Sequence, residues 1–126
     1  MSLNKPWLGF DPHGAREIAA ATGVYEIGDE EGQVVYIGYA GGSSAFGLRG
    51  EIGRRFSPDE ANPVLRQRAR LFRCEVNTAY MSRWRELLIL YREEHGALPP
   101  ANEAGGEFIP SLGRFHWRPS TGHWQP

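Results

Sequence analysis

The sequence predicts an α+β domain in which a small sheet of three strands is flanked by helices. Three observations predict it. Two short β-prone segments, Gly23-Val24-Tyr25 and Tyr36-Ile37-Gly38, lie on either side of the acidic stretch Asp29-Glu30-Glu31-Gly32, which reads as the turn of a hairpin. Leu71 to Val76 alternates apolar and polar residues and reads as a third strand. Residues 79 to 95 carry Tyr80, Trp84, Leu87, Leu88 and Tyr91 on one face at helical spacing.

The elements follow in order. Asp11-Pro12 ahead of Gly14-Ala-Arg-Glu-Ile-Ala-Ala-Ala predicts an N-cap, a proline at N1 and a short helix that ends at Thr22-Gly23. Strands are expected over 23–28 and 33–40. Gly41-Gly42-Ser43-Ser44 reads as a flexible loop, and a short helix from about Gly47 to Phe56 follows, weakened by Gly50 and Gly53. Ser57-Pro58-Asp59 ends it, and a brief helix is expected over 62–69. In the long helix, Ile89 and Leu90 extend apolar character beyond the main face, so cover on more than one side is expected. Gly96 stops that helix and Leu98-Pro99-Pro100 turns the chain.

The 126 residues suit one domain. Its expected parts are an arm with a short helix (1–22), a core (23–104) and an irregular aromatic and proline-rich tail (105–126) laid over the core. Hydrophobic content of 40% and charged content of 23% are those of a globular chain. The longest apolar run, Leu87 to Tyr91, is far too short to span a bilayer. The N-terminal residues lack the apolar stretch of a secretory signal. Cys74 is the only cysteine, which rules out an internal disulfide or a cysteine-rich zinc site and suits the cytoplasm. The four histidines (His13, His95, His116 and His123) lack zinc-site spacing.

A net charge of −1 argues against a generally polycationic nucleic-acid binder, but its distribution is uneven. Seven arginines stand between Arg49 and Arg73 against three acids, a local sum of +4, and the residues before them sum to −4. One basic face is therefore expected. Lys5 is the only lysine, so the cations are guanidinium groups able to grip phosphate bidentately.

Several residues are candidates for chemistry. In an antiparallel hairpin, any even-length loop puts Tyr25 and Tyr36 on one face. A turn at Glu30-Glu31 opposes Tyr25 to Tyr36, and a turn at Glu31-Gly32 opposes Tyr36 to Ile27. Cross-strand aromatic pairs also simply stabilise sheets. Glu86 has Ile89 and Leu90 as i+3 and i+4 neighbours, so its carboxylate is expected to be half-buried and either ion-paired or metal-bound. Asn102 follows Pro99-Pro100-Ala101 at an expected turn.

Together the two tripeptides, Glu86 in Arg85-Glu86-Leu87-Leu88-Ile89 and Asn102 in Leu98-Pro99-Pro100-Ala101-Asn102 resemble the pattern of the GIY-YIG nucleases, in matching order from 23 to about 103. The resemblance implies a small three-stranded antiparallel sheet flanked by helices. It also implies a metal-dependent endonuclease that hydrolyses phosphodiester bonds in DNA. In that scheme Glu86 holds Mg²⁺ or Mn²⁺, which polarises the scissile phosphate. Tyr25 helps to deprotonate water, Tyr36 positions water or phosphate, and Asn102 holds the site together. The family's first helix carries an arginine and, soon after it, often a histidine. Counting back from Phe56 puts Glu51 at the arginine position and Arg55 at the histidine position. Arg49, two residues earlier, is the expected phosphate-gripping residue, with Arg54 or Arg55 as substitutes and Gly38 beside the substrate. The alternative is a non-catalytic nucleic-acid-binding module, or a protein-interaction domain, on the same scaffold.

Overall fold

The computed structural model describes residues 1–104, 116–118 and 123–125. Strand β1 (Leu8–Gly9) leads through a 3-10 turn (Gly14–Glu17) to β2 (Gly23–Gly28) and β3 (Val34–Ala40). Helices α1 (Gly47–Arg55) and α2 (Pro63–Arg68) follow, then β4 (Leu71–Val76), α3 (Tyr80–His95) and α4 (Pro100–Ala104). Strands β5 (His116–Arg118) and β6 (His123–Gln125) pair antiparallel, with Trp117 opposite Trp124. The expectation of an irregular tail lying on the core falls mostly on 105–115 and 119–122, outside the described residues.

The class is α+β, but the sheet has four antiparallel strands, in the order β1-β4-β2-β3, not the expected three. The added strand pairs Leu8 with Phe72 and Gly9 with Leu71. It covers β4's outer backbone groups, which an open edge would leave unpaired. Arg73 on β4 anchors the incoming segment: its guanidinium donates to the Lys5 carbonyl at 3.2 Å and lies 4.0 Å over the Trp7 ring.

Register decides what the hairpin presents. Tyr25 opposes Gly38, Ile27 opposes Tyr36, and a bulge between Ile27 and Gly28 absorbs the odd residue of the turn. Asp29 Oδ1 accepts from the Glu31 and Gln33 amides, and Gly32 takes the left-handed conformation at φ 79°. Tyr25 and Tyr36 therefore share a face.

That face packs under α1, α2 and α4 in a core of Tyr25, Ile27, Tyr36, Leu48, Ile52, Leu65 and Phe72. The other face meets α3 through Val24, Ile37, Trp84, Leu87 and Leu88, with Leu3 from the arm. Local chemistry sets the helix ends. The Asn62 side chain accepts from the Val64 and Leu65 amides, with Pro63 opening α2, and Gly96 closes α3 at φ 80°. Two segments differ from expectation. The helix foreseen after Asp11-Pro12 is only a four-residue 3-10 turn, because Asp11 spends its carboxylate on the His13 amide two residues on. The turn foreseen at Asn102 is helix α4.

Four of the seven arginines are ion-paired. Arg54 pairs with Glu51, Arg55 with Glu60, Arg68 with Asp29 and Arg73 with Glu26. Folding brings the acidic hairpin and the arginine-rich stretch together, so much of the sequence-level asymmetry cancels. No described helix is long and apolar enough to cross a membrane.

Candidate functional site

Tyr25 is fully buried, and its ring lies 6.0 Å from that of Tyr36. Arg55, from the last turn of α1, joins the two phenols: Nε donates to the Tyr25 hydroxyl at 3.0 Å and Nη2 to the Tyr36 hydroxyl at 2.8 Å. Its Nη1 donates to Glu60 Oε1 at 3.0 Å, and Glu60 also accepts from the Asn62 amide. Arg55 and Glu60 form a buried ion pair. Burial pushes the Tyr25 phenol far above its ordinary value, against the opposing pull of Arg55. A phenol so placed is harder to ionise than one in water.

The signature glycines are packing requirements. A Cβ on Gly38 would come within 2.4 Å of Tyr25 Cζ and 2.7 Å of Tyr36 Cε2, and one on Gly23 within 2.2 Å of the Glu75 carbonyl oxygen. Gly38→Ala is expected to lower stability by about 1–3 kcal/mol through overpacking. Urea denaturation measures this. An unchanged midpoint would mean that the two rings give way freely.

Beside the phenols lies a pocket of about 380 Å³ lined by Tyr36, Tyr39, Ser43, Ser44, Glu51, Arg54, Arg55 and Trp84. It wraps the outer edge of β3, drawing α1 residues from one face and aromatics from the other. Tyr39 is 36% exposed and packs on Trp84 at 4.8 Å and on Tyr80 at 5.9 Å between ring centroids. Glu51 accepts from Arg54 Nη2 at 2.9 and 3.2 Å and lies 3.5 Å from the Tyr25 hydroxyl. The Ser44 hydroxyl accepts from the Gly41 amide, and the Tyr80 hydroxyl accepts from the Gly42 amide. These bonds hold the glycine-serine loop against the pocket.

The remaining sequence candidates sit elsewhere. Arg49 turns away, its Nε donating to the Ile18 carbonyl at 2.9 Å, and Glu51 stands near the phenols instead. Glu86 does not line the pocket. Its side chain is 48% exposed, with Oε2 3.4 Å from the Met1 amino group and Oε1 bound by Arg83. The Arg83 hydrogen bond and the amino terminus lower its pKa. Arg83 also binds Glu75 and the Met1 and Ser2 carbonyls, so Glu86 belongs to a clasp that joins the arm, β4 and α3. Asn102 is buried and bonds one residue twice: its Oδ1 accepts from the Ile37 amide at 2.9 Å and its Nδ2 donates to the Ile37 carbonyl at 3.0 Å. It takes the place of a neighbouring strand at the β3 edge.

The carboxylates that could serve a metal, Glu86 and Glu51, are both ion-paired. Both Glu86 oxygens are engaged by cations, and Glu51, the pocket's one carboxylate, is held by Arg54. Among the described residues no group of three or more His, Cys, Asp or Glu side chains is placed to hold a metal ion. Mg²⁺ commonly keeps several waters and takes only one or two carboxylates, so Glu86 or Glu51 would have to exchange its paired cation for the metal.

The sequence reading passed over Tyr39, Trp84 and Glu60. A signal existed for the aromatics: Tyr80 and Trp84 are one helical turn apart, and Tyr39 alternates with Ile37 onto the α3 side of the hairpin. Glu60 gave no signal before the chain folded back to Arg55.

A family model described as "Domain of unknown function (DUF7508)" matches residues 1–94. The chain belongs to that family. No curated protein and no solved structure matches it. The matched stretch contains the whole four-stranded sheet and every described residue lining the pocket, and it ends before α4 and Asn102.

Proposed function

We propose that the domain is a nucleic-acid-binding module that holds an unpaired nucleotide of single-stranded DNA at the β3 edge and leaves its phosphodiester bonds intact. One observation carries the reading. The pocket joins an exposed aromatic platform, Tyr39 backed by Trp84, to the solvent-facing guanidinium of Arg54. The carboxylate that the nuclease scheme assigns to a metal is held in the clasp outside it. A base stacks on an aromatic face whatever its sequence, at about 1–3 kcal/mol per base, and a guanidinium suits a phosphate oxygen. The cytoplasmic setting inferred from the single cysteine belongs to the same reading.

The test titrates fluorescent single-stranded and duplex oligonucleotides with protein in the presence of Mg²⁺ or Mn²⁺, reading anisotropy first and strand length afterwards. Single strands should bind and be recovered whole. Tyr39→Ala is expected to weaken binding by about 1–3 kcal/mol, and Glu86→Ala to change nothing in the binding. Since Arg54 and Arg55 are balanced by Glu51 and Glu60, few phosphates are neutralised and affinity should fall only gently with salt. Metal-dependent cutting that disappears in Glu86→Ala would establish the nuclease reading instead.

A further inference from the structure

Among the described residues Glu51 is the only acid lining the pocket, and stacking alone gives it no task. Its side chain is 17% exposed, and its carboxylate lies 3.5 Å from the Tyr25 hydroxyl. Arg54, which pairs with both of its oxygens, is by contrast 58% exposed. The Arg54 end of the pair is the solvent-screened one, so Arg54 is the partner able to turn away while the more buried Glu51 stays in place.

A carboxylate presents two acceptors side by side and no donor. The Watson–Crick edges of the bases answer it differently. Guanine alone offers two adjacent donors, N1–H and the N2 amine, spaced to meet both oxygens. Adenine sets one donor, the N6 amine, beside the N1 acceptor. Cytosine likewise sets its N4 amine beside the N3 acceptor. Thymine flanks its single N3–H with two carbonyl oxygens, which a carboxylate repels. The pocket's volume of about 380 Å³ lies within the ordinary range for small-ligand sites, about 300–1,000 Å³.

Resting on the nucleic-acid-binding reading, we infer that the pocket selects guanine. Glu51 accepts from N1–H and N2–H while the ring stacks on Tyr39, and the displaced Arg54 turns to the nucleotide's phosphate. A strand and a free mononucleotide offer the same chemistry, so both enter the test.

Anisotropy is measured with eleven-nucleotide oligo-dT strands whose central position is dT, dG, dA, dC or deoxyinosine, at one salt concentration. The dG strand is expected to bind about tenfold tighter than the dT strand, the order of discrimination a bidentate side-chain–base contact supplies. Deoxyinosine lacks the N2 amine and should lose most of that gain. This comparison uses wild-type protein, so it does not depend on how a variant folds. Glu51→Gln, which replaces one acceptor with a donor, should bring the dG strand down to the level of the dT strand. GMP should compete better than AMP, and GMP competing as well as the dG strand would identify the mononucleotide as the ligand. Equal affinity for dG and dT strands, both bound, overturns guanine selection and leaves the binding reading standing. Failure of every strand and of GMP to bind overturns both.

Discussion

Arg55→Ala is expected to remove about 3–5 kcal/mol of stability, the usual cost of breaking a buried ion pair from one side. Against domain stabilities of about 5–15 kcal/mol, that is a large fraction of the total. The reason is that one guanidinium serves three buried partners. It donates to the hydroxyls of Tyr25 and Tyr36 and to the Glu60 carboxylate. Removing it leaves the buried Glu60 carboxylate without its cation and takes one donor from each phenol, at a desolvation cost for each. Arg55→Lys keeps the charge but offers a single point instead of a planar fork, so it should recover only part of the loss. Denaturant midpoints for the two variants and for Glu60→Gln measure this. A loss below about 1 kcal/mol for Arg55→Ala, the range of a surface pair, would show that the network does not hold the core.

Asn102→Ala is expected to cost about 2–4 kcal/mol. Ile37 lies on the outer strand of the sheet, and its outward amide has Asn102 Oδ1 as its partner. The Ile37 carbonyl is better served, because Trp84 Nε1 also donates to it at 3.0 Å. The alanine variant thus leaves one buried N–H without a partner, a penalty of about 1–3 kcal/mol, and loses the packing of a side chain that is 3% exposed. Asn102→Asp discriminates further. A carboxylate still accepts from the Ile37 amide but cannot donate to its carbonyl, and it brings a charge into the core. It should be no better than alanine at neutral pH. Full stability in either variant would mean that the β3 edge does not depend on this amide.

Much of the fold was legible because it is written in local patterns. The alternation in Leu71–Val76, the acidic turn and the helical spacing of Tyr80, Trp84, Leu87, Leu88 and Tyr91 place β2, β3, β4 and α3 close to where they form. Strand β1 was not legible, since two residues hold no alternation and Leu8-Gly9 becomes a strand only by pairing with β4. The tyrosines share a face and Ile27 opposes Tyr36, as one expected register had it, but through an odd five-residue loop and a bulge rather than the even loop the parity argument assumed. The surroundings of Glu86 were not. Apolar neighbours at i+3 and i+4 suggested burial, but Ile89 and Leu90 are themselves only partly buried. The packed stripe of α3 runs through Trp84, Leu87 and Leu88, and Glu86 falls beside the amino-terminal arm. Arg49 and Arg55 show the same limit. Sequence spacing offered both as the residue near the tyrosines, and the turn of α1 chose Arg55. The two tripeptides coincide with a tightly packed part of the β2-β3 hairpin, where Gly23 and Gly38 admit the close approach of neighbouring groups and Arg55 caps the phenols.

The central claim is that an unpaired nucleotide sits at the β3 edge and is not cut there. The most direct measurement is amide NMR of ¹⁵N-labelled protein titrated with a short single-stranded oligonucleotide in the presence of Mg²⁺. Shifts concentrated at Tyr39, Ser43, Ser44, Glu51 and Arg54, with the oligonucleotide recovered at full length, are the predicted result. Shifts gathered around Glu86 and the arm, or a cleaved strand, would contradict it.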